Sequence, residues 1–479
     1  MVTNKHTTIW IGTLIVLLAA ILRLSAFEEA LVGADQSSIL AAAAEIAAFR
    51  DFPEVGIKSS VGVMQTAITA YLAAIPLLVV HKVIAIKWFF SILDLLAIAL
   101  LFNAVKRSFG LRAASVAALL YATNPWIVEF NRWIWYQTLI PTFATTAFAA
   151  FLLLLRQDKP HARGLLSIGL VSATLMGMVH LAAVPWAAML LLLGLVIAWH
   201  HKEWRGFVWG SALSVVIVLP YARYLFKTGF ADVRLILQGS GENGNGWNWA
   251  AYLLSRELLT GDQVFKTPRD PLWAGSVLQL PVLYTVIPVV LALAIVGILP
   301  YLWRKSGWQR PSGFALAWTL LAPTLLVPTH FHLQHFYLLF LFPAPYVLTG
   351  AWLEACLSRA YDRAAKIWDY AGRVALAALL CLALWWTYVW IVRIHFESRG
   401  ELRAPTRAWL MDLTVERIAD YLETEPESAI ILLTTFDGGD LSPFDWIRNF
   451  VHNDRVRVIP TGQGLILSLI HISEPTRPY

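Results

Sequence analysis

An acidic residue, Asp35, lies just beyond the first long apolar segment of the chain, residues 7–24. A carboxylate beside a bilayer can accept a proton from an acceptor hydroxyl or amine while a lipid-phosphate leaving group departs. The competing role is structural, because Asp35 can cap the amides of the Ala-rich helix that the sequence predicts over residues 37–49. Either role depends on how the first predicted outer loop, residues 25–83, holds Asp35 at the membrane edge.

Cationic and hydroxyl side chains near the same edge are candidates for binding a phosphate. Lys58 and Ser59 lie in the segment GIKSSVG, and Arg132 lies among aromatic residues in NRWIWYQ. A guanidinium binds phosphate oxygens in bidentate fashion, whereas an ammonium acts as a point charge. The structural alternatives are a solvated loop lysine at Lys58 and an ion pair of Arg132 with an outer-loop acid such as Glu28 or Glu29.

Four further ionisable residues lie in or beside the predicted crossings, and three of them have two competing roles. Arg23 either snorkels from the end of the first apolar segment or joins the phosphate site. Asp94 lies inside an apolar run, where an acid suggests function by default, but its depth favours a structural, hydrogen-bonded role. Glu129 is expected as an interface residue that could instead serve as a second acid. His180 is expected to be a satisfied residue between packed helices.

Metal-ligating residue types are few. His330, His332 and His335 are close enough in sequence to ligate a metal, or to donate to a phosphate. No acid accompanies them, which favours an aromatic and imidazole-rich interface turn. Cys356 and Cys381 are the only cysteines, so neither a disulfide framework nor a cysteine metal site is expected.

The elements that must position these residues are membrane helices. Of the 479 residues, 58% are apolar and only 14% are charged, and the mean hydropathy is +0.62. Apolar runs near the roughly 20 residues that cross a bilayer recur along most of the chain, which excludes a soluble globule. The formal charge of +6 comes from Lys and Arg in short loops, so no nucleic-acid partner is expected.

The positive-inside rule arranges these runs as an all-α, polytopic membrane protein with eleven crossings, a cytoplasmic N-terminus and an external C-terminus. The first run is interpreted as a retained span rather than a removed signal. If residues 61–80 and 84–105 both crossed the membrane, the basic segment KRSFGLR that follows them would lie outside. Residues 61–80 are therefore predicted to form a juxtamembrane or half-buried helix that does not cross. The predicted crossings are residues 7–24, 84–105, 113–130, 138–155, 165–181, 184–199, 207–226, 282–303, 312–327, 336–356 and 374–394.

Two regions lie outside this membrane domain, which occupies residues 1–395. The long outer loop 227–281 combines the tract GSGENGNGWN with a predicted amphipathic helix, and its Trp247 and Trp249 are available for stacking. It is interpreted as a lid, with a linker as the alternative. Residues 396–466 predict the start of an external α/β domain. Residues 467–479, LSLIHISEPTRPY, resemble a translated sequencing-library adapter and are expected not to be native.

Three segments together resemble the GT-C superfamily of polyprenyl-phosphate-sugar-dependent glycosyltransferases. They are Arg23 followed by G-x-D, then FPEVGIKSSVG, then NPWIVEFNRWIWYQTLIPTF. The resemblance is nearest to the protein O-mannosyltransferase and aminoarabinose transferase group, which is glycosyltransferase family 39-like. It implies that Asp35 is a catalytic base or a metal-linked acid. It also implies an inverting enzyme of the cell membrane that moves a hexosyl or pentosyl group from a polyprenyl-phosphate carrier to a lipid, glycan or protein acceptor outside.

One position departs from this resemblance. Many relatives have an acid shortly after the Asn-Arg pair, whereas this chain has Gln137, which can hydrogen-bond a substrate but cannot act as a base. We therefore predict chemistry that needs no metal or depends only weakly on a divalent cation, with no metal ligand. The candidate substrate and phosphate ligands are Arg23, Lys58, Ser59, Arg132, Gln137 and His335.

Two other classes of function remain open from the sequence. A flippase or transporter of lipid-linked saccharides predicts paired charges along a central path and internal symmetry, but no internal repeat is found. A noncatalytic relative that scaffolds envelope assembly would be marked by Gln137. Retention of Asp35, Lys58 and Arg132 favours the enzyme.

Overall fold

The computed structural model describes residues 5–24, 34–59, 62–156, 162–238, 247–261, 264, 281–303, 309–329, 332–358, 365–398, 408–424, 429–434, 450–451, 456–460 and 470–472. Within these ranges the chain is mostly helical, with two small sheets. The α-helices are α1 (Lys5–Leu24), α2 (Ala34–Ala47), α3 (Ile68–Leu77), α4 (Val83–Phe109), α5 (Leu111–Thr123), α6 (Pro125–Asn131), α7 (Ile140–Leu154), α8 (Ala162–Val179), α9 (Val184–His201), α10 (Trp204–Lys227), α11 (Ala231–Gln238), α12 (Ala250–Thr260), α13 (Pro281–Trp303), α14 (Gln309–Thr324), α15 (Ala344–Leu357), α16 (Ala365–Ser398) and α17 (Ala408–Thr424). Two 3₁₀ helices cover Leu181–Ala183 and His335–Leu341.

Each predicted crossing overlaps one or two helices. Among the described residues, six helical spans are long and apolar enough to cross a membrane alone, and the 3₁₀ helix His335–Leu341 with α15, bent by 43°, makes a seventh. The predicted crossings 113–130, 138–155 and 282–303 coincide with shorter apolar helices. The chain is therefore a multi-pass membrane protein, as its hydropathy predicts.

The predicted crossing 113–130 is not one continuous helix, because the chain breaks between α5 and α6. Pro125 has no N–H and its ring is incompatible with a continuing helix, so Asn124 takes an extended conformation. The Asn124 side chain accepts the Ile127 N–H at 3.0 Å and thereby caps α6. Its amide nitrogen donates to the Leu258 carbonyl at 2.9 Å and to the Tyr346 hydroxyl at 2.7 Å. One buried side chain thus joins α6 to α12 and α15.

Residues 55–77 form a hairpin followed by a short helix. Strands β1 (Val55–Lys58) and β2 (Met64–Thr66) pair antiparallel, and α3 follows directly. A helix of ten residues spans about 15 Å, half of the hydrocarbon core of a bilayer. This length supports the prediction that residues 61–80 do not cross. The hairpin was not predicted, because the apolar run conceals its two short strands.

Charged side chains are buried at the centre of the helical assembly. Arg23 Nε lies 2.5 Å from Asp94 Oδ2, and both side chains are at most 1% exposed. Arg23 also donates to the Ala122 carbonyl at 2.8 Å, while Asp94 accepts from Tyr121 at 2.9 Å and from Thr142 at 3.0 Å. Asp94 is therefore buried and hydrogen-bonded, as the structural role predicts. Arg23 does not snorkel, because its side chain is buried and paired with Asp94. Its contact with a phosphate stays a prediction.

The C-terminal region contributes α17 and a three-stranded sheet. The pattern of RAWLMDLTVERIADYLE predicts a helix, and AIILLTTF and VRVIP predict strands. The structure has α17, β3 (Ala429–Thr434) and β4 (Val456–Pro460) at these segments, with β3 parallel to β4. A third strand, β5 (Ile470–Ile472), pairs antiparallel with β3 and lies in the adapter-like segment. The segment FDWIRNFV, whose pattern predicts a further helix, lies mostly outside the described residues.

An acid of α17 bonds to the first turn of α4. Asp412 accepts the Val83 N–H at 2.8 Å and the Ile84 N–H at 3.3 Å, amides that have no partner within the helix. Burial raises the pKa of Asp412, although these two bonds and Lys82 favour its charged form. Lys82 also pairs with Glu416 at 2.8 Å. The C-terminal region is therefore docked on the helix that carries Asp94.

Replacing Asp94 should destabilise the protein severely. Asp94→Asn leaves the Arg23 guanidinium buried without a counter-charge, and removing one partner of such a pair costs about 3–5 kcal/mol in unfolding free energy. Equilibrium unfolding in mixed micelles measures the loss. The matched control is Asp369→Asn, whose pair with Arg373 at 2.9 Å is solvent-accessible and is expected to contribute less than about 1 kcal/mol. Equal losses in the two variants would contradict the structural role of the buried pair.

Candidate active site

Asp35 lies in the first turn of α2. The helix forms because its sequence, ADQSSILAAAAEIA, is rich in alanine and contains neither glycine nor proline. The helix begins at Ala34, so it starts earlier than Gln36 or Ser37, where the sequence placed its first amides. The Asp35 side chain is partly exposed. A negative charge is favourable in the first turn of a helix, where the amides point toward it.

The turn between α6 and α7, residues 132–139, contacts Asp35 and β1 through two consecutive side chains. Trp135 donates its indole N–H to Asp35 Oδ2 at 3.2 Å. The hydroxyl of Tyr136 accepts the Ile57 N–H at 3.1 Å. Thr138 braces the turn, because its hydroxyl donates to the Trp133 carbonyl at 2.8 Å. One rigid turn therefore positions the acid and the strand that carries Lys58.

Gly56 is required for this arrangement. A Cβ atom at position 56 would lie 2.4 Å from the Tyr136 hydroxyl and 3.1 Å from the Thr66 carbonyl. Only glycine allows the phenol to approach the strand this closely. Burial raises the pKa of Tyr136 to about 12, so the phenol stays neutral at physiological pH.

Lys58 and Ser59 lie at the tip of the hairpin. The Lys58 side chain is exposed. Ser59 braces the tip, since its N–H donates to the Val63 carbonyl at 2.8 Å and its hydroxyl accepts the Val63 N–H at 3.2 Å. Gly62 has a φ of +86°, a conformation that glycine adopts without strain. The hairpin therefore presents a cation on a fixed backbone.

Arg132 does not lie at an exposed membrane edge as expected. It is 1% exposed, its NH1 lies 3.7 Å from Glu129 Oε2, and its guanidinium carbon is 5.4 Å from the Trp390 ring centroid. Glu129 is correspondingly the partner of a buried cation. These contacts favour a role for Arg132 in fixing the start of the turn 132–139.

Sequence reasoning missed Lys87. It is fully buried in α4 and donates to the backbone carbonyl of Asn131 and to its side-chain oxygen, which also accepts from Ser91 at 2.9 Å. A lysine inside an apolar run is the signal that could have revealed it. Lys87 connects α4 to the residue before Arg132.

His335 pairs with an acid of the long outer loop. Its Nε2 lies 2.6 Å from Oε2 of Glu257 in α12, and its ring stacks on Trp126 with centroids 4.3 Å apart. The expectation that His335 contacts the phosphate is not supported, because a carboxylate already occupies its Nε2. Glu257 carries no distinguishing sequence signal. His330 lies outside the described residues.

The remaining predicted features of the site are Gln137 and the long outer loop 227–281, which is interpreted as a lid. Gln137 is 4% exposed, and its buried Oε1 has no hydrogen-bond partner within the described structure. The Gly/Asn-rich tract of the loop lies mostly outside the described residues, whereas Trp247 and Trp249 are exposed and stacked at 6.4 Å. Across the described ranges no three His, Cys, Asp or Glu residues group as a metal site.

No family model matches the sequence, and no curated protein matches it. Among solved structures, ArnT from Cupriavidus metallidurans bound to undecaprenyl phosphate is similar, with a TM-score of 0.53, 15% identity and coverage of 95% of this chain and 86% of ArnT. The Archaeoglobus fulgidus oligosaccharyltransferase tethered with an acceptor peptide has a TM-score of 0.51 and 14% identity. This chain is covered to 95% and spans 64% of that enzyme. The chain has the GT-C fold. The fold predicted from the sequence resemblance is thus confirmed.

A cavity of about 170 Å³ lies beside the hairpin tip in this GT-C fold. Its walls are mostly apolar and include Leu181, Leu326 and Leu333, together with Ser59 and Gln65. An apolar space therefore lies next to Ser59, the residue that follows Lys58.

Gly56→Ala should displace β1 from the turn 132–139. The added methyl group overlaps the Tyr136 hydroxyl, and overpacking of this kind costs about 1–3 kcal/mol. Thermal unfolding of the purified protein measures the cost. Gly164→Ala is the control, because a Cβ there meets nothing within 4 Å, and alanine in a helix is at least as stable as glycine. A Gly56→Ala protein as stable as the wild type would refute the close packing.

Proposed function

We propose that this protein transfers a sugar from a polyprenyl-phosphate carrier to an acceptor at the outer face of the cell membrane. The GT-C fold supports this proposal, because similar structures include ArnT bound to undecaprenyl phosphate and an oligosaccharyltransferase. The observation that carries it is the turn 132–139, which bonds the Asp35 carboxylate through Trp135 and the Lys58 strand through Tyr136. Displacement of a phosphate needs a base for the attacking acceptor and a cation for the departing phosphate, and this turn holds Asp35 and the strand of Lys58 for these two tasks.

In the proposed mechanism Asp35 is the general base. Its carboxylate accepts the proton of the acceptor hydroxyl or amine as the nucleophile attacks the anomeric carbon of the donor. The bond from that carbon to the phosphate oxygen breaks, and the electron pair leaves with the polyprenyl phosphate. Attack opposite to the leaving group in one step inverts the anomeric configuration. The Trp135 N–H keeps the carboxylate oriented during the step.

Lys58 is proposed to neutralise the phosphate as negative charge develops on it. An exposed ammonium on a braced hairpin can reach a phosphate without reorganising the backbone. Ser59 is proposed to donate its hydroxyl hydrogen to a phosphate oxygen, since that hydroxyl already accepts from Val63. Gln137 is proposed to hydrogen-bond the substrate through its buried Oε1. Arg132 is proposed to act by positioning the turn.

Asp35→Asn should abolish transfer. Loss of a general base lowers the rate by at least about 100-fold. The full chain, reconstituted with radiolabelled polyprenyl-phosphate sugars and crude envelope acceptors, is assayed for transfer and for slow donor hydrolysis. Asp51→Asn is the control, because Asp51 is an exposed acid that accepts the Phe52 N–H at 2.8 Å. A wild type that moves lipid-linked sugar across proteoliposomes but neither transfers nor hydrolyses it would make the protein a transporter instead.

Lys58→Ala should weaken use of the donor while leaving the fold intact. Loss of one charge-assisted hydrogen bond corresponds to about a tenfold to hundredfold drop in kcat/KM for the donor, and Lys58→Arg should restore part of it. Lys227→Ala is the control, because Lys227 is an exposed lysine paired with Glu54 at 2.8 Å. Equal kcat/KM values for Lys58→Ala and wild type would show that Lys58 does not contact the donor.

A further inference from the structure

A concave apolar groove lies on the surface between α1, α5 and α16, away from the candidate active site. Its volume is about 340 Å³, and its walls include Ile11 and Ile15 of α1, Leu119 of α5 and Leu376 of α16. It shares no residue with the site around Asp35. Each of the three helices is a predicted crossing, so the groove lies at membrane depth.

The rim of the groove faces lipid. Leu14 on α1 is 60% exposed and Leu380 on α16 is 42% exposed, although both are apolar. Water does not enter the hydrocarbon region to fill such a space. An apolar chain must therefore fill it, because an empty groove would lose the dispersion contacts of its walls.

A cation lies at one end of the groove. Arg112, in the first turn of α5, lines the groove with its side chain 51% exposed. Its NH1 contacts the Leu357 carbonyl at 3.4 Å and the Glu354 carboxylate at 3.9 Å. A guanidinium has five N–H donors, so these contacts leave others for a ligand.

The surroundings of Arg112 are basic. Lys106 and Arg107 form the last turn of α4, immediately before α5 begins. Together with Arg112 they place three cations within seven consecutive residues at this end of the groove. The positive-inside rule places this end of the groove at the cytoplasmic surface, where membranes carry their anionic lipids.

We propose that this groove binds one acyl chain of an anionic glycerophospholipid, with the headgroup phosphate on Arg112. The apolar walls match the chain, and the basic end matches the headgroup. The carboxylate of Glu354 fixes NH1 and leaves the exposed part of the guanidinium to the phosphate. The site is independent of the proposed sugar transfer, because it lies on other helices and at the opposite predicted surface.

Native mass spectrometry of the full chain tests this site, with phosphatidylglycerol and phosphatidylcholine of identical chains as probes. Wild type should bind phosphatidylglycerol more tightly, and Arg112→Gln should weaken that binding about tenfold, the effect of one charge-assisted bond. Arg163→Gln is the matched control and should change it less than twofold, because Arg163 is 66% exposed with a partner at 3.8 Å. Ser115→Trp, which fills the groove, should abolish the tightest lipid site.

Three outcomes would overturn the proposal. If Arg112→Gln binds phosphatidylglycerol as tightly as Arg163→Gln does, Arg112 does not contact the headgroup. If glycerol phosphate without acyl chains binds as tightly as the intact lipid, the apolar groove does not contribute to binding. Undecaprenyl phosphate could displace phosphatidylglycerol one for one, which would make a carrier lipid the occupant. Sugar transfer is assayed separately and should persist in Arg112→Gln.

Discussion

A helix that breaks inside a membrane exposes amides and carbonyls that only the protein can satisfy, and Asn124 meets this constraint. Its side chain caps α6 and bonds the Leu258 carbonyl and the Tyr346 hydroxyl. Tyr346 in turn donates to the Leu259 carbonyl at 2.9 Å. The position of α6, and hence of the turn that follows it, depends on this small network.

The core supports the same turn from the other side. Lys87 bonds both oxygens of Asn131, the last residue of α6. Arg23 and Asp94 join α1 to α4, and the Asp94 carboxylate also bonds α5 and α7. Buried charges of this kind are weak evidence for stability, because desolvation offsets their attraction. Their contribution here is geometric, since each bond fixes the relative position of two helices.

The sequence predicted much of the fold because the membrane imposes a strong rule on helix length. Every predicted crossing overlaps one or two helices, and the resemblance around Asp35 and Asn131 pointed to the GT-C fold. The hairpin that carries Lys58 was missed, because two strands of four and three residues have no periodicity to detect.

The candidate site was predictable in part. Asp35 and Lys58 were candidates from residue type, position after the first apolar segment and the resemblance, and the structure joins both to one turn. The burial of Arg132 and the pairing of His335 with Glu257 were not, because both depend on contacts between segments far apart in sequence. Glu257 lies 78 positions before its partner. No local pattern specifies such a pair.

The bond from Asp412 to the first amides of α4 has a consequence for how the two regions of the chain communicate. The same helix carries Lys87 and Asp94, so α17 is attached directly to the element that supports the turn beneath Asp35. Because Asp412 accepts the first two amide hydrogens of α4, a displacement of α17 would act directly on α4. Replacing this region by that of another protein would preserve the attachment to α4 only if an acid remains where it can accept the Val83 N–H.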